Sequence, residues 1–197
     1  MEKNRLEAFS DGVLAIIITV MVLELRVPHG SDLSALKPLL PVFLTYLLSF
    51  IYVGIYWNNH HHLLKAAHKV TGAIMWANLH LLFWLSLFPF VTGWMGENHF
   101  TTVPTALYGT VMLLAAMAYY ILQYLIIADQ GRGSKLAASI GRDPKGKLSP
   151  VLYAVAIVAS FFRPWISGGI YVAVALWWLV PDQRIARVVD ESVPPRG

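Results

Sequence analysis

The sequence predicts an all-α integral membrane protein with six transmembrane helices, and three observations predict it. Hydrophobic residues make up 57% of the 197 residues and charged residues only 13%, about half the charge of an average soluble domain. The mean hydropathy is +0.58. The apolar residues fall into runs whose lengths match the roughly 20 residues a helix needs to cross a hydrocarbon core about 30 Å thick. A soluble chain of this size would have to expose large apolar patches. The chain has no cysteine, which excludes a disulfide-stapled module, thiolate nucleophiles and Cys-based metal sites.

The first span runs from Leu6 to Leu25 and contains Asp11 and Glu24. The second, Leu39 to Leu64, opens on the Pro38/Pro41 pair and closes on His60, His61 and His62. Gly72 to Met95 is the third. Val103 to Ala128, without a charged residue, is the fourth. Leu148 to Phe162 and Trp165 to Val180 are separated only by Arg163-Pro164. The fifth run reaches only about 22 Å as a helix, so five spans plus a re-entrant segment is the alternative count. Pro150 near its start suits the first helical position, where a missing N–H costs little. Residues 1–187 read as one membrane domain, and 188–197 as a disordered tail. Asp129 to Lys147, rich in Gly, Ser and Lys, reads as a solvated, mobile loop.

Charge sets the orientation. With the N-terminus inside, twelve of the 15 Lys and Arg residues fall on the cytoplasmic side and three, Arg26, Lys37 and Arg163, on the other. That asymmetry obeys the positive-inside rule and puts both termini in the cytoplasm. It also accounts for the net charge of +4 without nucleic acid, for which no basic stripe with interleaved aromatics is present. The leading segment mixes Glu2, Lys3, Arg5 and Glu7 and lacks a small-residue cleavage site, unlike a signal peptide.

An ionisable group inside a span costs about 2.5–3.5 kcal/mol at mid-bilayer, so each needs an account. Asp11 is the sharpest case. Ser10 or Asp11 reads either as the N-cap of the apolar run that follows or as part of a buried network with Arg5 or with histidines of a neighbouring helix. Three consecutive histidines point about 100° apart on a helix and cannot chelate one metal together; His60 or His61 is expected to turn inward toward Asp11 or Ser10. Trp76, Asn78 and His80 in the third span read as interhelical glue. Trp94, Trp165, Trp177 and Trp178 fit an interfacial belt. The first helix is apolar on all faces, so periodicity alone reads its stripe Phe9, Ile16, Val20 and Leu23, with Thr19 beside it, as packing material before a pore lining. No hydrolase elbow, phosphate loop, paired carboxylates or potassium filter sequence is present. That pattern is not an enzyme's.

The run Arg5-x-x-x-Phe9-Ser10-Asp11-Gly12 opening the first span resembles the signature of the transmembrane-protein-175 family of potassium channels. Trp57-x-x-His60-His61, Trp76-x-Asn78 and Pro89-Phe90 extend the likeness through the first three spans. The resemblance implies a homotetramer of six-span chains in a prokaryotic plasma membrane, with the first helix lining a central pore that lacks a P-loop filter and needs no cofactor. Constriction rings carried over residue by residue fall on Ile16, then Val20 or Thr19, then Leu23. Arg5, Phe9, Ser10, Asp11, Trp57, His60, His61, Trp76 and Asn78 would form the network that fixes the pore helix. Apart from the resemblance, Glu24, the residue after Leu23, reads as a charged ring at the pore mouth or as a solvated helix end. The expected activity is passive, potassium-preferring conduction. A proton-conducting or proton-coupled transporter using Asp11, His60 and His61 is the alternative, and a membrane enzyme or metal protein using the His triplet the third reading.

Overall fold

The computed structural model describes residues 2–131 and 144–179. All regular structure among them is helical: α1 (Lys3–Leu23), a 3-10 helix (Leu33–Leu39), α2 (Leu40–Ala66), α3 (Gly72–Ser86), α4 (Phe88–Glu97), α5 (Thr102–Gln130), α6 (Pro144–Ser160) and α7 (Pro164–Leu179). Four segments, Lys3–Leu23, Leu33–Ala66, Gly72–Glu97 and Thr102–Gln130, are long and apolar enough to cross a membrane alone. The chain is a multi-pass membrane protein.

Local chemistry explains the boundaries. Pro41 sits in the first turn of α2 and Pro89 in the first turn of α4, where a missing N–H costs little. Pro89 also breaks the third span: it cannot donate to Leu85, so Gly72–Glu97 is two helices joined at Leu87 rather than the one predicted. Thr71 caps α3 by accepting a hydrogen bond from the Ile74 N–H at 3.3 Å. At the end of α4, His99 adopts a left-handed φ of 50°. The N–H groups of His99 and Phe100 there reach Gly96 O and Met95 O, a Schellman closure.

The α2 C-terminus ties three helices together. Lys3 Nζ donates to Lys65 O and Ala67 O at 2.7 and 3.1 Å, and Gln130 Nε2 donates to Ala66 O at 2.6 Å. These bonds satisfy carbonyls left without intrahelical partners, and the ammonium faces the negative end of the helix dipole. They also place the start of α1 and the ends of α2 and α5 at one end of the bundle.

Two boundary readings are corrected. The α1 helix begins at Lys3, seven residues before Ser10, so neither Ser10 nor Asp11 is an N-cap. The α6 helix begins at Pro144, so Pro150 lies inside it and not at its first position. The predicted loop over Asp129–Lys147 is correspondingly shorter at both ends; its central residues 132–143 lie outside the described residues, as does the tail 188–197.

The α6 and α7 helices reach about 25 Å each and run side by side, Ser167 Oγ donating to Ala156 O and Trp178 Nε1 to Ser149 Oγ. Their connecting turn carries Trp165 to Leu44 and Thr45 near the start of α2. The pair packs as two antiparallel helices along the bundle.

Tyrosines fill the middle of the bundle, and each hydroxyl among the central three has a partner. Tyr52 Oη donates to Tyr171 O at 2.6 Å, Tyr171 Oη to Thr105 O at 3.0 Å, and Tyr108 Oη bonds Ser49 Oγ at 3.0 Å. Ser49 in turn bonds Thr92 at 2.6 Å. Gly109 is required here, because a Cβ would collide with Tyr171 Oη. The α1 helix lies at one edge, packed on α2, α3 and α4.

Candidate functional site

The site is built where α1 crosses α2 and α3. On α1, the residues turned into the bundle recur at helical spacing: Leu6, Ser10, Leu14, Ile17 and Met21. Ser10 is thereby placed against α3, with its Oγ donating to Leu6 O at 2.8 Å. That back-bond satisfies its proton and leaves its lone pairs for another donor. Asn78 Nδ2 donates to them at 3.0 Å, and Asn78 Oδ1 lies 2.6 Å from His60 Nε2. Since Asn78 has committed its amide to Ser10, its oxygen is the acceptor and His60 Nε2 carries the proton. All three side chains are buried. The result is a directional chain, His60 to Asn78 to Ser10 to Leu6 O, that clamps three helices.

Asp11 is one position further round the helix and takes a different partner. Trp57 Nε1 donates to Asp11 Oδ1 at 3.0 Å. The Trp57 ring stacks on His61 with centroids 6.5 Å apart, and His61 meets His62 edge-on at 5.5 Å. Thus His60 turns inward and His61 does not, because consecutive residues of α2 differ by about 100°. His62 is half-buried and His68 exposed.

Several expected members of the network stand outside it. Arg5 is exposed, and its guanidinium has no ion pair or hydrogen bond among the described residues. Trp76 is 70% exposed on the outer face of α3, and its i+4 neighbour His80 accepts from Trp84 Nε1 instead, at 2.9 Å. Phe9 lies half-exposed on the open side of α1. Each departure has one cause: Arg5 and Phe9 flank the buried stripe of α1, and Trp76 is two positions from Asn78, on the opposite side of α3. Among the described residues, no three His, Cys, Asp or Glu side chains come together to hold a metal.

The opposite face of α1 is largely open among the described residues. Ile16 is 63% exposed and Leu23 74% exposed, with Val20, Thr19 and Gly12 also open; a Cβ on Gly12 would meet no atom within 4 Å. Thr19 Oγ1 donates to Ala15 O at 2.9 Å, so its lone pairs face outward. A groove of about 580 Å³ runs between this side of α1 and α4, lined by Ile16, Val20 and Phe90 and closed at one end by Glu24 and Glu97. Glu24 lies against Gly93 of α4, and Glu97 pairs with Arg26 at 3.1 Å.

Comparison with known proteins places this arrangement. A family model described as endosomal/lysosomal potassium channel TMEM175 matches residues 5–89, the stretch from Arg5 to Pro89 that holds the clamp. A protein of Chryseobacterium sp. (strain P1-3) named a potassium channel is 56% identical over 192 residues, covering 98% of this chain and all of that protein. The crystal structure of a lysosomal potassium-selective channel TMEM175 homolog from Chamaesiphon minutus superposes with a TM-score of 0.82 at 29% identity, covering 92% of this chain and 98% of that one. The human endosomal/lysosomal proton channel TMEM175 is 40% identical over 86 residues, 38% of this chain and 17% of that protein. With the buried Ser10–Asn78–His60 clamp lying within the matched residues and the likeness running the length of the Chryseobacterium protein, the chain belongs to the TMEM175 family.

Proposed function

We propose that this protein is a potassium-preferring cation channel of a prokaryotic plasma membrane, conducting passively along the open face of α1 at the axis of a homotetramer and using no cofactor. The observation that carries this reading is the division of α1. One face is buried against α2, α3 and α4, and the other is exposed at Phe9, Gly12, Ile16, Thr19 and Leu23. The interior of one subunit is filled by Tyr52, Tyr108, Tyr171 and Phe88, so a conducting path through a chain so packed runs between copies. A closed ring of identical subunits supplies that path. The name of the Chryseobacterium relative and that of the Chamaesiphon structure support potassium as the permeant ion.

On an axis, four Ile16 and four Leu23 side chains form dry constrictions that block ions by dewetting and must widen to conduct. Val20 and Thr19 lie between them, and the outward lone pairs of Thr19 offer oxygen to a partly dehydrated cation. Glu24 stands at the mouth of the groove, where its charge raises the local cation concentration. The buried clamp at Ser10, with the Trp57–Asp11 bond beside it, sets the rotation of α1 and so decides which residues face the axis. The Lys and Arg distribution supports cytoplasmic termini.

The test is potassium flux from liposomes holding the purified protein across a potassium gradient. Wild type is expected to give slow potassium-dependent flux and Ile16→Ala a faster one. Absence of potassium-dependent flux in both overturns the reading.

A second reading, proton conduction, is favoured by the name of the human relative and by the hydrogen-bonded rank from His60 to Ser10. An acid-dependent current at symmetric potassium, abolished by His60→Leu, would establish it in place of the first.

A further inference from the structure

Away from α1, the helices α2, α5, α6 and α7 enclose a half-open cleft of about 50 Å³ near the end of the bundle where α2 and α5 terminate. None of its lining comes from α1, so it is separate from the face proposed to conduct. Gln123 lines it, is only 7% exposed, and its amide has no hydrogen-bond partner among the described residues. Tyr56, 9% exposed, lines it too, and its hydroxyl is likewise unpaired. An amide and a phenol without protein partners thus open onto the same space, where a ligand's polar head can bond them in place of water. Elsewhere in this bundle buried tyrosine hydroxyls are bonded: Tyr52, Tyr108 and Tyr171 all find partners.

We propose that this cleft is a binding site for a small uncharged amphiphile, whose hydroxyl- or amide-sized head bonds Gln123 and Tyr56. Size restricts the head to a small polar group, the enclosed space being only about 50 Å³. Charge restricts its chemistry. Among the described residues no Asp, Glu, Lys or Arg lines the cleft, which disfavours an ion. Lys145 Nζ lies 5.8 Å over the Trp178 ring, so the aromatic wall already faces a cation and repels a second. The walls of Tyr153 and Trp178 suit an apolar chain next to the head. Ile55, Ala116 and the exposed ring of Tyr120 lead outward to the bundle surface, a route for the rest of that chain into lipid.

The experiment is photolabelling of the full chain in lipid nanodiscs with the photoreactive alkanol 3-azioctanol, adducts being mapped by mass spectrometry. Labelling is expected to saturate, to fall on residues lining the cleft, and to be displaced by excess 1-octanol. Gln123→Leu and Tyr56→Phe should each lower the displaceable labelling about fivefold, the loss of one hydrogen bond, while Ile16→Ala leaves it unchanged. Tyr56→Phe removes a single oxygen and keeps the test valid where Gln123→Leu fails to fold. Labelling that rises linearly with probe, that scatters over lipid-facing residues, or that saturates equally in both cleft variants overturns the proposal.

Discussion

His60 Nε2 lies 2.6 Å from Asn78 Oδ1, and through Asn78 it is joined to Ser10, 50 positions back in the chain. Histidine and amide are both buried, where a hydrogen bond gains from the low dielectric and an unmet group is costly. The pair therefore acts as a strut between α2 and α3 on which α1 leans.

Removing the strut should be measurable as coupling. Asn78→Ala and His60→Ala are each expected to destabilise the protein by about 1–3 kcal/mol, because each leaves a buried partner unpaired. The double variant should fall short of the sum by about 0.5–2 kcal/mol. Denaturant or thermal unfolding in detergent of the four proteins checks this, and strict additivity would deny the bond an energetic role.

Ile16 and Ile17 are neighbours with opposite fates. Ile16 is open and Ile17 buried, so the same truncation has different expected outcomes. Ile17→Ala removes core contacts and costs about 2–5 kcal/mol of stability with no gain in conduction. Ile16→Ala leaves stability within about 0.5 kcal/mol and raises potassium flux. Paired unfolding and liposome-flux measurements on the two variants separate the faces of α1.

Gly96 marks a close approach of α4 to α2. A Cβ there would meet Thr45 Oγ1 and lie 2.7 Å from the Val42 Cα, and backbone cannot yield as a side-chain tip can. Gly96→Ala is expected to cost about 1–3 kcal/mol through overpacking. Gly12→Ala, whose new methyl meets nothing in the subunit, should leave the isolated chain's fold intact. An altered oligomer on native mass spectrometry of Gly12→Ala would identify its face as one that meets another copy.

Lys3 holds the C-terminal carbonyls of α2 with a charge. Lys3→Met keeps most of the stem and removes the ammonium, with an expected loss of about 0.3–1 kcal/mol at low ionic strength that shrinks as salt is added. Melting temperatures of wild type and variant at two salt concentrations check the sign and the screening.

The Trp57 bond to Asp11 offers a charge test. Asp11→Asn keeps the acceptor oxygen and is expected to retain the indole bond, whereas Asp11→Ala loses it, at a cost of about 0.5–1.5 kcal/mol. Unfolding of the two variants and of Trp57→Phe should rank Asp11→Asn nearest to wild type.

Much of the molecule was legible from the chain alone, and the limit falls at particular residues. The span positions followed from the lengths of apolar runs, since only a helix of about 20 residues satisfies its backbone across a bilayer. Pro89 inside the third run was visible, but its break at Leu87 was not anticipated. The likeness carried by the Phe9-Ser10-Asp11 run grouped Ser10 with His60 and Asn78, which the structure joins, and with Arg5 and Trp76, which stand apart. Gln123 carried no signal: a lone amide within Val103–Ala128 looks like any other polar residue in a span, and only the packing of four helices leaves it unpaired beside Tyr56.

By itself the sequence determined that the chain enters a membrane, roughly where each helix begins and ends, and which residues are too polar to be left to lipid. Tertiary structure decided which way those residues turn. The α1 helix is apolar all round, and lipid, protein core and a dry pore are alike apolar, so hydropathy cannot tell Ile16 from Ile17. The docking of Ser10 on Asn78 and of Asp11 on Trp57 fixes the rotation of α1, with Leu14 and Ile17 buried and Ile16, Thr19 and Leu23 exposed. Likewise His60 and His61 are chemically identical in the chain, and a step of about 100° around α2 puts one in the clamp and the other on Trp57.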